Sequence, residues 1–112
     1  MLNVKTRGGA YGIPYEEILY LEKAGNKICV HVRNGAFEFC GTMKEVMESL
    51  DDRFMRCHRS FIVSLDSILL VHNGEVTFRG GKKLYLGSKT CPALSREYCA
   101  YGKRKVLNGE KR

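Results

Sequence analysis

The chain contains no Cys-x-x-Cys pair, no His-x-x-x-His and no Gly-x-x-x-x-Gly-Lys-Ser/Thr. The first two absences leave His31, His58 and His72 without a zinc-ligand spacing, and the third makes Gly80 and Gly81 turn residues rather than a phosphate cradle. No apolar run approaches the ~20 residues that a membrane span needs, and the polar, glycine-rich start from Met1 to Tyr15 does not resemble a signal peptide. Cys57 and His58 are neighbours, but successive side chains of a strand point to opposite faces, so adjacency makes no nucleophile and base pair. Glu16-Glu17 and Asp51-Asp52 read as solvated carboxylates at element ends. The sequence has no long internal repeat and no low-complexity stretch. These absences argue against an enzyme and against any bound metal or cofactor.

The 112 residues suffice for one core, so the expectation is a single domain over 1–102 followed by a basic, flexible tail over 103–112. The net charge is +7. Residues 1–102 carry 14 Lys and Arg against 11 Asp and Glu, so more than half of the excess lies in that tail, either a solvated end or a phosphate-binding arm. A basic chain favours acidic partners such as nucleic acid. The cysteines, at 29, 40, 57, 91 and 99, are odd in number and suit free thiols in a reducing cytoplasm. Cys29, Cys40 and Cys99 read as small core hydrophobes. Cys57, between Arg56 and His58, is either inert or a redox-sensitive thiol.

Along the chain, Met1 to Gly12 reads as a strand behind a flexible lead. Pro14 starts a turn and Ile18 to Glu22 is a strand, followed by turn chemistry at Gly25 and Asn26, both suited to positive φ. "KICVHVR" alternates with Ile28, Val30 and Val32 inward. Asn34-Gly35 then marks a hairpin into "AFEFC". Thr42 and Glu45 form a capping box, and Met43, Val46, Met47 and Leu50 fall on one helical stripe that must cover a sheet. Asn73-Gly74 and Arg79-Gly80-Gly81 mark two more hairpin turns. A short helix follows, with Ser88 or Thr90 as its cap, Pro92 in its first turn, and Leu94, Tyr98 and Tyr101 docking it. The pattern predicts a mainly β fold of about eight strands, one short helix between strands and one short C-terminal helix.

"FMRCHRSFIVSLDSI" poses a local problem. A single strand from Cys57 to Leu65 would put Arg59 in the same row as Phe61, Val63 and Leu65, an expensive place for a guanidinium. A break of alternation at His58 to Ser60 solves it, with a short turn presenting Arg59 outward and a buried strand beginning at Phe61.

"IPYEEILYLE", the following hairpin, "GTMKEVMESLDDRFMRCHRSFIVSLDSI" and "LYLGSK" together resemble the LytTR DNA-binding domain family, over roughly Tyr11 to Ala100. The resemblance implies an elongated stack of antiparallel β-sheets that binds double-stranded DNA through loops. It implies base contacts from Asn26, Arg59 and Lys89, and backbone contacts from Lys23, Lys27, Arg56, His58, Ser60 and Ser88. Lys89 stands where the family more often has Arg, and Ser64 where it more often has Asn. From the residues alone, Asn26 could equally be a left-handed turn residue, and His58 could hold its turn by a hydrogen bond. The implied role is the output domain of a cytoplasmic, bacterial LytTR-type response regulator of a two-component system, or a free-standing regulator. It would bind paired direct repeats as two protomers, with the receiver domain absent from this chain. The alternative reading is a β-rich protein-interaction module with a non-specific basic surface, meeting an acidic protein or a membrane.

Overall fold

The alternation in Lys27–Val32 does what a period of two requires: Ile28, Val30 and Val32 are buried while Cys29 and His31 are half-buried on the opposite face. The computed structural model describes residues 1–107. Its strands are β1 (Leu2–Thr6), β2 (Gly9–Ile13), β3 (Ile18–Ala24), β4 (Lys27–Val32), β5 (Gly35–Cys40), β6 (Phe54–His58), β7 (Phe61–Ser64), β8 (Ile68–His72), β9 (Glu75–Phe78) and β10 (Lys83–Tyr85). Its helices are α1 (Met43–Glu48) and α2 (Cys91–Leu107). All strand pairs are antiparallel, and they form three sheets. The chain forms two compact units, one from Met1 to Ser67 and one beginning at Ile68.

In the first unit the five-stranded sheet has the order β5-β4-β3-β7-β6, and β1 pairs with β2 as a separate hairpin. One face of the large sheet supplies Leu21, Ile28, Val30, Phe54 and Ile62 to a core that Leu2, Val4 and Ile13 of the hairpin and Met43 and Val46 of α1 complete. The capping box is formed: Thr42 Oγ1 accepts from the Glu45 N–H at 3.2 Å, and the Thr42 N–H donates to Glu45 Oε1 at 3.1 Å. Past the helix, the Arg53 guanidinium bonds Asp51 at 3.1 Å and lies 3.7 Å from Asp66. Asp51 is therefore ion-paired rather than merely solvated. The Tyr15 hydroxyl donates to the Ser49 carbonyl, and its ring stacks edge-on against Phe54.

In the second unit α2 lies against β8 of a β10-β9-β8 sheet. Leu94 is fully buried, Tyr101 nearly so, and the Tyr98 hydroxyl donates to the Ile68 carbonyl at 3.0 Å. The predicted docking positions of this helix are thus the ones used. Thr90 occupies the cap position, its carbonyl accepting from the Leu94 N–H.

Several expectations need correction. Among the described residues ten strands form rather than about eight. The segment before Gly12 is not a lead and one strand but a hairpin, turning at Arg7-Gly8, where the Gly8 N–H donates to Thr6 Oγ1 and that hydroxyl to the Gly9 carbonyl. Gly35 pairs with Val32 inside the ladder, so the turn there is Arg33-Asn34. The C-terminal helix is 17 residues long and runs through Gly102 and the basic stretch. Arg104 pairs with Glu97 at 3.1 Å, and Arg104 and Lys105 each lie 5.6 Å from the centre of the Tyr101 ring, so these cations are helical side chains with partners. The rest of the expected tail, 108–112, lies outside the described residues.

The cysteines also differ from expectation. Cys40 ends a strand on its outer face and Cys99 lies on the outer side of α2, both exposed, while Cys29 is half-buried. The buried thiol is Cys91, at the start of α2. Burial pushes the Cys91 thiol up, offset in part by a backbone hydrogen bond involving Gly74. Because the thiolate is the reactive form, brief iodoacetamide treatment near neutral pH should label Cys40 and Cys99 first and Cys91 last, as read by peptide mass spectrometry. The Cys91 rate should become appreciable only as the pH climbs beyond the usual thiol range.

Two adjacent buried residues make a sharper test. Leu65 is 2% exposed, so Leu65→Ala should cost about 2–5 kcal/mol in urea unfolding. Ser64 is fully buried, and among the described residues its hydroxyl has no hydrogen-bond partner. Ser64→Ala removes that uncompensated group and should leave stability unchanged or raise it by about 1 kcal/mol in the same assay.

Candidate nucleic-acid interface

Strand order decides which turns meet. β3 and β4 are joined by Gly25-Asn26, with Ala24 opposite Lys27. β6 and β7 are joined by Arg59-Ser60, with His58 opposite Phe61. Because β3 pairs with β7 through Glu22 opposite Phe61, and the Lys23 N–H donates to the Ser60 carbonyl at 2.9 Å, both turns project from one end of the sheet. Lys23, Asn26, Lys27, Arg56, His58 and Arg59 are exposed there, and Ser60 is half-buried. Glu22, one residue before Lys23, is engaged by His31 Nε2 at 3.1 Å. The end of the sheet therefore carries four cationic side chains, Arg59 on its turn and Lys23, Lys27 and Arg56 on the strand ends beside the two turns.

The alternation problem in the Phe54 to Ile68 segment is resolved by a turn and a bulge. β6 ends at His58, Arg59 and Ser60 form the turn, and β7 begins at Phe61. The pairing slips between Arg56 and His58, which face Ile62 and Phe61 respectively. Arg59 is exposed at the tip as expected. The side chains flanking it are occupied: Arg56 Nη2 donates to the Arg59 carbonyl at 2.9 Å, and His58 Nδ1 accepts from the Ser60 N–H at 3.1 Å. His58 thus has the turn-holding bond that the sequence left open beside a DNA contact.

Gly25 takes positive φ, +65°, whereas Asn26 does not. The left-handed alternative for Asn26 is excluded, since glycine at the first central position supplies the reversed curvature that a two-residue hairpin needs. The Asn26 side chain is exposed and its carbonyl accepts from the Gly41 N–H at 3.5 Å, beside the start of α1.

Ser88 and Lys89 belong to the second unit, on an exposed turn between β10 and α2. The segment leading into that turn is fastened to the Asn73-Gly74 turn of β8 and β9, because the Gly74 carbonyl accepts from the Leu86 and Gly87 N–H groups at 2.8 and 3.0 Å. Gly74 has φ +81°, and a Cβ there would lie 3.1 Å from the Gly87 carbonyl carbon and 3.2 Å from the Ser88 nitrogen. An Asn-Gly pair announces a hairpin, but nothing in it announces what packs upon it. Gly74 and Gly41 are accordingly supports that sequence reasoning missed.

Four rings cross the sheet surface toward the Arg59 turn. Tyr20 stacks on His31 with centroids 4.2 Å apart, lies 6.3 Å from Phe61, and Phe61 lies 5.5 Å from His58. Burial, then the Glu22 charge, then Cys29 push the Tyr20 hydroxyl above its ordinary pKa, so it stays neutral and acts as packing. Among the described residues no cluster of three His, Cys, Asp or Glu side chains could hold a metal ion, and no helix is long and apolar enough to cross a membrane.

A family model of the LytTr DNA-binding domain matches residues 8–101. The chain belongs to the LytTr DNA-binding domain family. Accessory gene regulator protein A of Staphylococcus aureus is 31% identical over 88 aligned positions, a match that covers 75% of this chain and 37% of that protein. Its counterpart in Staphylococcus epidermidis is 28% identical over 88 residues with the same shares. The chain thus spans little more than a third of the length of these curated relatives. A solved LytTr DNA-binding domain from Bacillus cereus matches with a TM-score of 0.72 at 23% identity, covering 88% of this chain and 94% of that one. This LytTr chain therefore shares the fold of the solved domain: three antiparallel sheets and two helices.

The anchoring of the Lys89 turn can be tested directly. Gly74→Ala should destabilise this LytTr domain by about 1–3 kcal/mol, combining the left-handed backbone cost with the crowding against Gly87 and Ser88. Urea unfolding checks the magnitude, and the largest amide shift changes in NMR spectra should fall on Leu86 to Lys89.

Proposed function

We propose that this chain binds double-stranded DNA in a sequence-specific manner as the output domain of a two-component response regulator of the LytTr family. The observation that carries the reading is the meeting of the Gly25-Asn26 and Arg59-Ser60 turns at one cationic end of the large sheet. Asn26 and Arg59 have the chemistry to read base edges, Asn toward adenine and Arg toward guanine, and Lys89 offers a point charge for guanine acceptors. Lys23, Lys27, Ser60 and Ser88 are suited to phosphate contacts that set register, whereas Arg56 and His58, the other two candidates for that set, already bond the Arg59-Ser60 peptide. Paired direct repeats read by two protomers, a cytoplasmic setting and a signal-receiving domain distinct from these residues complete the reading.

Selection from a random duplex pool tests it, followed by titration of the enriched duplex and a scrambled one at two salt concentrations. A preference that survives the higher salt supports sequence-specific binding. Equal and steeply salt-dependent loss for both duplexes means that the charge acts alone, and a β-rich interaction module takes its place. Arg59→Ala should cost about 1–3 kcal/mol on the enriched duplex and relax discrimination at one part of the site. Lys27→Ala should weaken both duplexes alike and lower the slope of log affinity against log salt by about 0.9.

A further inference from the structure

The Arg59-Ser60 turn places one peptide unit in an unusual position. Its carbonyl is that of Arg59, which accepts from Arg56 Nη2 at 2.9 Å, and its N–H is that of Ser60, which donates to His58 Nδ1 at 3.1 Å. Both polar groups of a single peptide are therefore held by side chains of one strand. In a regular strand Arg56 and His58, two apart, would share a face. The bulge between them alters this, because Arg56 faces Ile62 and His58 faces Phe61, neighbours whose side chains leave opposite faces of the sheet. The guanidinium and the imidazole thus approach the turn from opposite sides and grip the same peptide.

This is the central peptide of the turn, whose rotation by about half a circle separates the type I from the type II backbone and changes ψ of the residue before it, on which that residue's favoured side-chain rotamers depend. Arg59 is the residue before it. Neither Arg59 nor Ser60 takes positive φ, so the turn lies outside the type II backbone that a flip would require at Ser60. The groups being held are exposed, where water could satisfy them equally, and ordering a long arginine side chain costs rotamer entropy. Such bonds contribute little to folding, and their consequence is the orientation of the peptide. The next carbonyl, that of Ser60, is fixed independently by the Lys23 N–H at 2.9 Å.

We propose that Arg56 and His58 are positioning residues that lock the Arg59-Ser60 peptide from opposite faces of the sheet, and that this lock sets the aim of Arg59 on which base discrimination depends. The inference rests on the reading of Arg59 as a base-contacting residue. It assigns Arg56 a role distinct from a phosphate contact, and the two roles predict different behaviour.

The experiment uses the duplex enriched by the unmodified chain and a scrambled duplex, titrated over a range of salt. Arg56→Gln should weaken the enriched duplex about tenfold, the scale of one good base contact, while the scrambled duplex and the salt slope stay unchanged. In an Arg59→Ala background, Arg56→Gln should add less than about twofold, because the group being aimed is gone. His58→Ala should behave like Arg56→Gln, and His58→Asn, whose Oδ1 retains an acceptor, should recover most of the preference. Equal weakening of both duplexes with a slope lower by about 0.9, or full additivity with Arg59→Ala, would overturn the lock and make Arg56 a phosphate contact.

A second measurement is independent of DNA. Backbone ¹⁵N relaxation of the free chain should show the Ser60 amide losing order in Arg56→Gln and His58→Ala but not in His58→Asn, with unfolding midpoints little changed. Unchanged order in all three variants removes the lock. If the unmodified chain prefers no duplex while relaxation shows the expected loss, sequence-specific binding is what has failed, and the proposed effect on discrimination falls with it.

Discussion

The pairing of β3 with β7 is the constraint on which the candidate interface depends. β3 lies at the centre of the large sheet, hydrogen-bonded to β4 on one side and β7 on the other. The two hairpins that carry Asn26 and Arg59 are far apart in sequence and separated by β5 and α1. They become neighbours because β7 runs antiparallel to β3 and begins where β3 is about to turn. The Lys23 N–H to Ser60 carbonyl bond extends that ladder to the base of the Arg59 turn. The hydrophobic face formed by Leu21, Ile28, Val30 and Ile62 holds the register, since a slip of one residue would exchange that face for the opposite one.

Every candidate reading turn has a second attachment in addition to the strands it joins. Ser60 is tied to Lys23, Asn26 to Gly41 beside the capped start of α1, and the approach to Ser88 and Lys89 to Gly74. Loops that present recognition groups must be ordered before or during binding, and order already present in the free chain does not have to be supplied by contacts with the ligand. The three turns achieve this with backbone groups of neighbouring hairpins and loops. Arg59 differs in receiving side-chain support as well, from a bulged strand.

Much of this architecture was legible in the sequence because it rests on short-range rules. The Thr42 and Glu45 cap, the Ile28 to Val32 alternation, the Asn73-Gly74 turn and the exposed position of Arg59 each follow from a few adjacent residues. The N-terminal hairpin was harder, because Gly8, Gly9 and Gly12 lower the strand signal of the residues between them. The length of α2 was masked by the basic run from 103, which read as a flexible tail until Glu97 and Tyr101 are seen to engage its cations. The cysteines were misassigned because a thiol's burial depends on which edge or face its element presents, and that is a tertiary fact. The Arg56 and His58 contacts depend on a bulge, a slip in pairing that has no mark in the sequence of either strand.

Among the described residues, the exposed side chains of Asn26, Arg59 and Lys89 take no part in the bonds that fasten their turns. Asn26 is held by its carbonyl, the Lys89 turn by the backbone on its approach, and Arg59 by its own carbonyl and the following N–H. Exchanging the side chain at any of these positions leaves its moorings intact and disturbs no core contact. Under the proposed function, such a domain can drift between operators by single substitutions, each changing the preferred target while the scaffold stays neutral to the change. Across lineages, the identity at positions 26, 59 and 89 should diversify faster than the residues that hold them.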